Sequence, residues 1–234
     1  MEVESPENAS KEATAQAQEE GIQTGVDFNY DRSTSRLTYR DPDNNEITIN
    51  GADIIGAFAK PHKRPGHDIV YAVDVNQPGE PAKPPKICSV HASELPADFL
   101  NDYGVNHNEE PAQFPSGQPP NTHVIISTHS GTHLAAAFYA QAVQPVLSHL
   151  GLREHEDYSL HHTTSATTIT DLTTHTLLPR ANAGIQQHLI LLAGDGGTID
   201  ALNALLSAPL SPAYAAPSLT LLPLGTGNAL FHST

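Results

Sequence analysis

Leu189-Ile190-Leu191-Leu192-Ala193-Gly194-Asp195-Gly196-Gly197-Thr198 is the stretch that decides the fold. Five apolar residues run straight into a glycine-rich turn, and Thr198 to Leu206 then carries apolar residues at helical spacing. A strand emptying into such a turn brings backbone N–H groups to the surface at its carboxyl end. Where the turn opens a helix, those groups form a seat for phosphate oxygens. About thirty residues on, Leu219 to Leu222 leads into a second turn, Pro223-Leu224-Gly225-Thr226-Gly227-Asn228. Upstream, His123-Val124-Ile125-Ile126 leads into a third, Ser127-Thr128-His129-Ser130-Gly131-Thr132. One glycine after a strand often serves only as a turn. Three in series, one with an aspartate, point to a nucleotide site with a place for a metal ion.

The elements between these turns alternate. A helix is expected over 133–150, with Phe138, Ala142, Val146 and Leu150 on one face, a kink or break at Pro145 and a stop at Gly151. Asp157 to Leu160 reads as a short strand, Ala166 to Leu178 as a threonine-rich helix, and Gln187 to Ala193 as the strongest strand. In the last helix Ile199, Leu202, Leu205 and Leu206 are expected to face inward. Alternating strands and helices imply an α/β fold, a parallel sheet with helices on both faces, whose ligands bind beyond the carboxyl ends of the strands. All three glycine turns fall at those ends.

The rest of the chain reads differently. Residues 1–24 are rich in Glu, Gln, Ala and Ser and read as disordered. Residues 25–100 hold short strands broken by Asn, Asp and Pro, which imply a small antiparallel β module, with Pro78, Pro81, Pro84 and Pro85 marking a loop. Residues 101–121 read as a Pro-rich linker, and 122–234 as the nucleotide-binding lobe.

Eleven Lys plus Arg against 26 Asp plus Glu give a formal net charge of −15, which argues against a nucleic-acid binder. From residue 121 on the fixed cations are Arg153 and Arg180 alone. A polyphosphate held there must rely on backbone amides and a metal. The fourteen histidines invite a zinc reading, but neither His161-His162 nor His129 with His133 has a companion Cys or Glu at ligand spacing, so most are expected to be solvated. The single cysteine, Cys88, excludes an intrachain disulfide and reads as a core thiol. No apolar leader and no run of membrane-spanning length appears, so a cytoplasmic protein with at most peripheral membrane association is expected.

These motifs resemble the catalytic domain of diacylglycerol kinases, a superfamily shared with sphingosine and ceramide kinases and distantly with NAD kinases. The family's Gly-Gly-Asp-Gly-Thr is matched at three of five positions by Ala193-Gly194-Asp195-Gly196-Gly197, and Asp200 stands where a Glu is usual. Pro-x-Gly-Thr-Gly-Asn is intact from Pro223 to Asn228, and Asn-Pro-x-Ser-Gly survives as Ser130-Gly131, with Ser127-Thr128 in place of Asn-Pro. The β module is weakly similar to the N-terminal region of sphingosine and ceramide kinases.

The resemblance implies an ATP-dependent lipid kinase that uses Mg²⁺ and phosphorylates a sphingoid base or diacylglycerol at a membrane surface. It implies Asp195 as the catalytic residue, either coordinating Mg²⁺ or orienting the accepting hydroxyl. Nucleotide contacts would come from Ser130, Gly131, Thr132, Gly194, Gly196, Gly197, Gly225, Thr226, Gly227 and Asn228. Asp200 would support the metal, and Thr163 or Thr164 would reach the ribose or adenine. The family continues into a β-rich lobe beyond the last motif, so a chain stopping at Thr234 implies a truncated enzyme. Two other functions are compatible: an inactive nucleotide-binding fragment, and NAD kinase-like phosphorylation of a soluble dinucleotide.

Overall fold

A computed structural model describes residues 23–59, 65–105, 120–128, 131, 133–207 and 209–225. Among these the chain divides into two compact units. The first comprises the described residues up to Val75 together with Pro85 to Val105, and the second Asn76–Pro84 with those from Pro120 on.

The first unit is two sheets around one core. Strands β2 (Val26–Asp31), β3 (Arg36–Arg40) and β4 (Glu46–Asn50) form a three-stranded antiparallel sheet. A five-stranded mixed sheet has the order β1-β7-β6-β5-β8, from β1 (Gln23–Thr24), β5 (Ile54–Ala59), β6 (His67–Val73), β7 (Lys86–Ala92) and β8 (Gly104–Val105). Leu37, Tyr39 and Ile49 of the small sheet pack with Ala57, Ile69 and Val90 of the larger one, and with Phe99 of helix α1 (Ala97–Tyr103). Two boundaries differ from composition. Gln23–Thr24 is a strand because it pairs with β7, and residues 101–105 complete α1 and β8. Cys88 is half-buried.

The second unit is a parallel sheet of order β10-β9-β11-β12, from β9 (Thr122–Ile126), β10 (Tyr158–His162), β11 (His188–Ala193) and β12 (Ser218–Pro223). Successive residues of β9 and β11 face opposite sides. Val124, Ile126 and Leu192 pack with Ala135, Tyr139 and Leu147 of α2 (residues 135–149). Ile125, Leu189 and Leu191 pack with Ile169 and Leu177 of α3 (residues 168–182) and Ala201 of α4 (Asp195–Leu206). Each fully buried leucine contributes about 2 kcal/mol of hydrophobic transfer. Helices on both faces of a parallel sheet are what the alternating pattern implies.

Helices α2 and α3 are built alike. Proline lacks the N–H that an α-helix needs and clashes with the preceding turn. Neither Pro145 nor Pro179 breaks its helix, because each follows a widened π turn, Tyr139–Val143 and Thr173–Leu177. The residue before each proline donates five residues back, Gln144 to Tyr139 and Leu178 to Thr173. The extra residue rotates the inward stripe of α2. It runs Ala135, Tyr139, Ala142, Leu147, and Val146 is only half-buried. Each helix closes on a left-handed glycine, Gly151 (φ 78°) and Gly184 (φ 82°). There Leu152 and Ile185 donate back to Leu147 and Arg180 at 2.9 and 3.1 Å.

Helix α4 also differs from its apolar pattern. Its buried residues are Thr198, Ala201, Ala204 and Leu205, while Ile199 and Leu206 are 51% and 72% exposed. The helix starts at Asp195 and lays a small-residue face on the sheet.

Candidate active site

The carboxyl ends of all four strands of the second unit lie level. Ile126 is in register with both His162 and Leu192, and Ala193 with Pro223. The ladder continues one residue past three of these ends. Thr163 donates to the Ile126 carbonyl at 3.0 Å, Ser127 to Leu192 at 3.0 Å, and Leu224 to Ala193 at 3.1 Å. The chain winds from β9 outward to β10, then crosses back to β11. The crevice therefore opens between the ends of β9 and β11, where such sheets hold ligands.

The turn after β11 passes directly into α4. Gly194 is the N-cap, extended at φ −88° and ψ −176°, and offers no capping side chain. The first-turn N–H groups of a helix have no intrahelical acceptor, and the macrodipole places partial positive charge on them.

The three glycines of this turn are glycines for different reasons. A Cβ on Gly194 would lie 3.0 Å from Gly225 Cα, so the β11 and β12 turns touch. A Cβ on Gly197 would lie 2.9 Å from Ala193 Cβ and 3.0 Å from Ile169 Cδ1. A Cβ on Gly196 would meet none of the described residues within 4 Å, and Gly196 is not among the positive-φ glycines. Among the described residues neither packing nor backbone conformation calls for glycine there, although glycine in a helix costs about 1 kcal/mol against alanine.

The structure thus gathers Gly194, Asp195, Gly196, Gly197 and Gly225 at one edge, with the β9 turn leading away from its neighbouring strand end. Gly131 lies in that turn and is exposed. Ser130, Thr132, Thr226, Gly227 and Asn228 lie outside the described residues. Asp200 is half-buried in the second turn of α4, five residues from Asp195. Five residues is about 140° around a helix, so the two carboxylates leave α4 on different faces. Thr163 is buried and locked to Thr128. It takes the Thr128 N–H at 3.0 Å, and its carbonyl accepts the Thr128 hydroxyl at 2.6 Å. Thr164 is exposed, and its N–H is held by Thr168 Oγ1 at 3.1 Å.

Both arginines of this unit lie at the other edge of the sheet. Arg180 binds the Pro120 carbonyl at 3.3 Å and the Asn121 side chain, just before β9. Arg153, before β10, pairs with Glu156 and Asp157. Not all histidines are solvated. His123 is 2% exposed, and its Nδ1 lies 3.2 Å from His161 Nε2, one ring donating and the other accepting. Burial, His161 and Arg180 push His123 down to about 4. No sequence motif marked this pair. Its one signal is a histidine in each of two adjoining strands, His123 near the start of β9 and His161 near the end of β10.

Among the described residues, no group of three or more His, Cys, Asp or Glu is placed to hold a metal. Mg²⁺ does not need one, since it commonly takes one or two carboxylates with substrate phosphates and water. Asp195 beside open amides suits that mode.

A parallel α/β lobe with glycine turns at its carboxyl edge is the framework of a nucleotide-using enzyme. Residues 121–234 match the family model of the diacylglycerol kinase catalytic domain, and this part of the chain belongs to that family. It is a family of ATP-dependent lipid kinases. No curated protein matches the chain. No helix among the described residues is long and apolar enough to cross a membrane.

Proposed function

We propose that the second unit binds Mg-ATP at the edge formed by Gly194–Gly197 and Gly225, and transfers the γ-phosphoryl group to a lipid hydroxyl. The observation that carries this reading is Gly196, a glycine that no packing against the described residues demands. A phosphate approaching to within a Cβ's reach of the backbone accounts for it. Gly131, Ser130 and Thr132 would face the phosphates from the β9 turn, and Thr226, Gly227 and Asn228 from the β12 turn.

In the transfer, the acceptor oxygen bonds to the γ-phosphorus, the bond to the bridging β–γ oxygen breaks, and ADP leaves with that oxygen. Asp195 either takes the hydroxyl proton or helps hold Mg²⁺. Bound Mg²⁺ would neutralise charge on the phosphates. Asp200, on another face of α4, would act on the metal's water shell at most. Family membership supports a lipid acceptor, with sphingoid base and diacylglycerol as the two classes to compare.

The test pairs two variants. Gly196→Ala should fold with an unchanged or raised Tm and lose at least tenfold in Mg-ATP affinity. Asp195→Asn should lose at least about a hundredfold in phosphate transfer, the scale of a positioned acid–base group. If Asp195→Asn still binds Mg-ATP, the carboxylate handles the proton; if binding is lost, it holds the metal. Unaltered binding in Gly196→Ala, or unaltered transfer in Asp195→Asn, would refute the assignment. Binding of Mg-ATP with no transfer to either lipid would leave a nucleotide-binding module, and transfer to NAD a dinucleotide kinase.

A further inference from the structure

We infer that Ala193 is a positioning residue for the phosphate-facing turn: its methyl group fills the volume that a side chain at residue 197 would need. This rests on the nucleotide-site reading for its functional consequence, but not for its packing.

Ala193 ends β11, is 5% exposed, and is pinned by its register with Pro223 and by the Leu224 N–H on its carbonyl. Gly197 lies four residues on, in the first turn of α4. A Cβ there would come 2.9 Å from Ala193 Cβ and 3.0 Å from Ile169 Cδ1. Ala193 Cβ cannot rotate away, because it hangs directly on the strand backbone. Ile169, 4% exposed, meets that Cβ only with the end of its flexible side chain, which can give by the few tenths of an ångström needed. Close-packed interiors transmit such overlaps as displacement. A side chain at 197 must therefore lift the first turn of α4, and Asp195 and Gly196 ride on that turn.

The two departures from Gly-Gly-Asp-Gly-Thr are thus one exchange. The family motif puts glycine first and a side chain fifth; this chain puts a methyl first, at Ala193, and glycine fifth, at Gly197. Positions 193 and 197 share room for one side chain. The chain keeps the seat of the turn filled from the strand side.

The experiment compares the full chain with Gly197→Ala, Ala193→Gly and the double variant. It reads the Gly196 amide resonance, Tm and Mg-ATP affinity. Gly197→Ala should shift the Gly196 resonance, lower Tm and weaken Mg-ATP at least tenfold. Ala193→Gly leaves the shared space empty and should lower Tm and weaken Mg-ATP, each by less than Gly197→Ala does. The double variant should return the Gly196 resonance and the affinity to within threefold of the parent. If Gly197→Ala does not fold, a folded double variant carries the same meaning. Additive effects, an unfolded double variant, or a Gly196 resonance left displaced in it would overturn the inference. Should the parent not bind Mg-ATP, the nucleotide reading falls, while the Gly196 resonance and Tm still decide the packing claim.

Discussion

The two edges of the parallel sheet are chemical opposites. At the amino edge, side chains close the structure: Arg180 on Asn121, Arg153 on Asp157, and His188 on Ser218, with His123 buried one residue into β9. At the carboxyl ends of β11 and β12 the ladder is carried on by backbone hydrogen bonds, and the glycines Gly194, Gly196, Gly197 and Gly225 stand where side chains would. Both fixed cations of residues 121–234 are engaged at the closed edge. The open edge carries an aspartate in the first turn of α4. A polyphosphate drawn to that edge meets amides worth about half an elementary charge, and a carboxylate that repels it.

Removing the metal breaks this comparison most directly. On the proposed reading, with neither arginine of residues 121–234 at the carboxyl edge, phosphate charge would be offset by helix-terminal amides and Mg²⁺. Chelating Mg²⁺ should weaken ATP binding by at least about a hundredfold, or about 2.7 kcal/mol. Titration calorimetry with and without chelator measures it. Affinity within threefold in the absence of Mg²⁺ would mean that another cation serves the site.

Acid tests the closed edge. An unfolded histidine takes up its proton near pH 6.5, whereas His123 in the fold does so only near 4, because burial and then His161 and Arg180 oppose the charge. Acid therefore favours the unfolded chain. The stabilisation is complete above pH 6.5 and is withdrawn as pH falls toward 4. Linkage puts the loss between pH 7 and 5 at up to about 2 kcal/mol. Burial lowers His161 as well, which adds in the same direction. Amide hydrogen exchange at Val124 and Leu160, corrected for intrinsic pH dependence, should report it, and His123→Gln should flatten the slope. A slope unchanged in that variant would place the acid sensitivity elsewhere.

The difference between the edges also explains what was legible in the sequence. The alternation of strands and helices and the glycine edge follow from local signals: apolar runs of strand length, three of them emptying into glycine-bearing turns. Proline–helix geometry does not. Pro145 announces a break, but whether the backbone breaks or widens into a π turn depends on packing, and the one-residue shift from Val146 to Leu147 follows from that choice. Ile199 and Leu206 misled because apolarity was weighed above size: α4 turns Ala201 and Ala204 to the sheet instead. The His123–His161 pair joins residues 38 apart and has no motif at all. The reason for each glycine was equally hidden, since sequence gives Gly194, Gly196 and Gly197 alike.

The smallest effect is the most discriminating for the open edge, because Thr163 is a side chain there that ties two strand ends together, as side chains do at the closed edge. Its hydroxyl takes the Thr128 N–H and its carbonyl holds the Thr128 hydroxyl, tying the end of β10 to the turn that leads to Gly131. Thr163→Val keeps the shape and removes the hydroxyl's contacts with the Thr128 N–H and Oγ1, so stability should fall by about 1–2 kcal/mol. Thr164→Ala, at an exposed position, should change stability by less than about 0.5 kcal/mol. Denaturant unfolding followed by circular dichroism separates the two, and Mg-ATP affinity measured on the same samples assigns their roles. A residue that latches the turn lowers stability and affinity together. A residue that touches the nucleotide lowers affinity alone. Affinity lost in Thr163→Val at unchanged stability would move Thr163 from the scaffold into the nucleotide site, and the open edge would then hold a recognition side chain beside its amides.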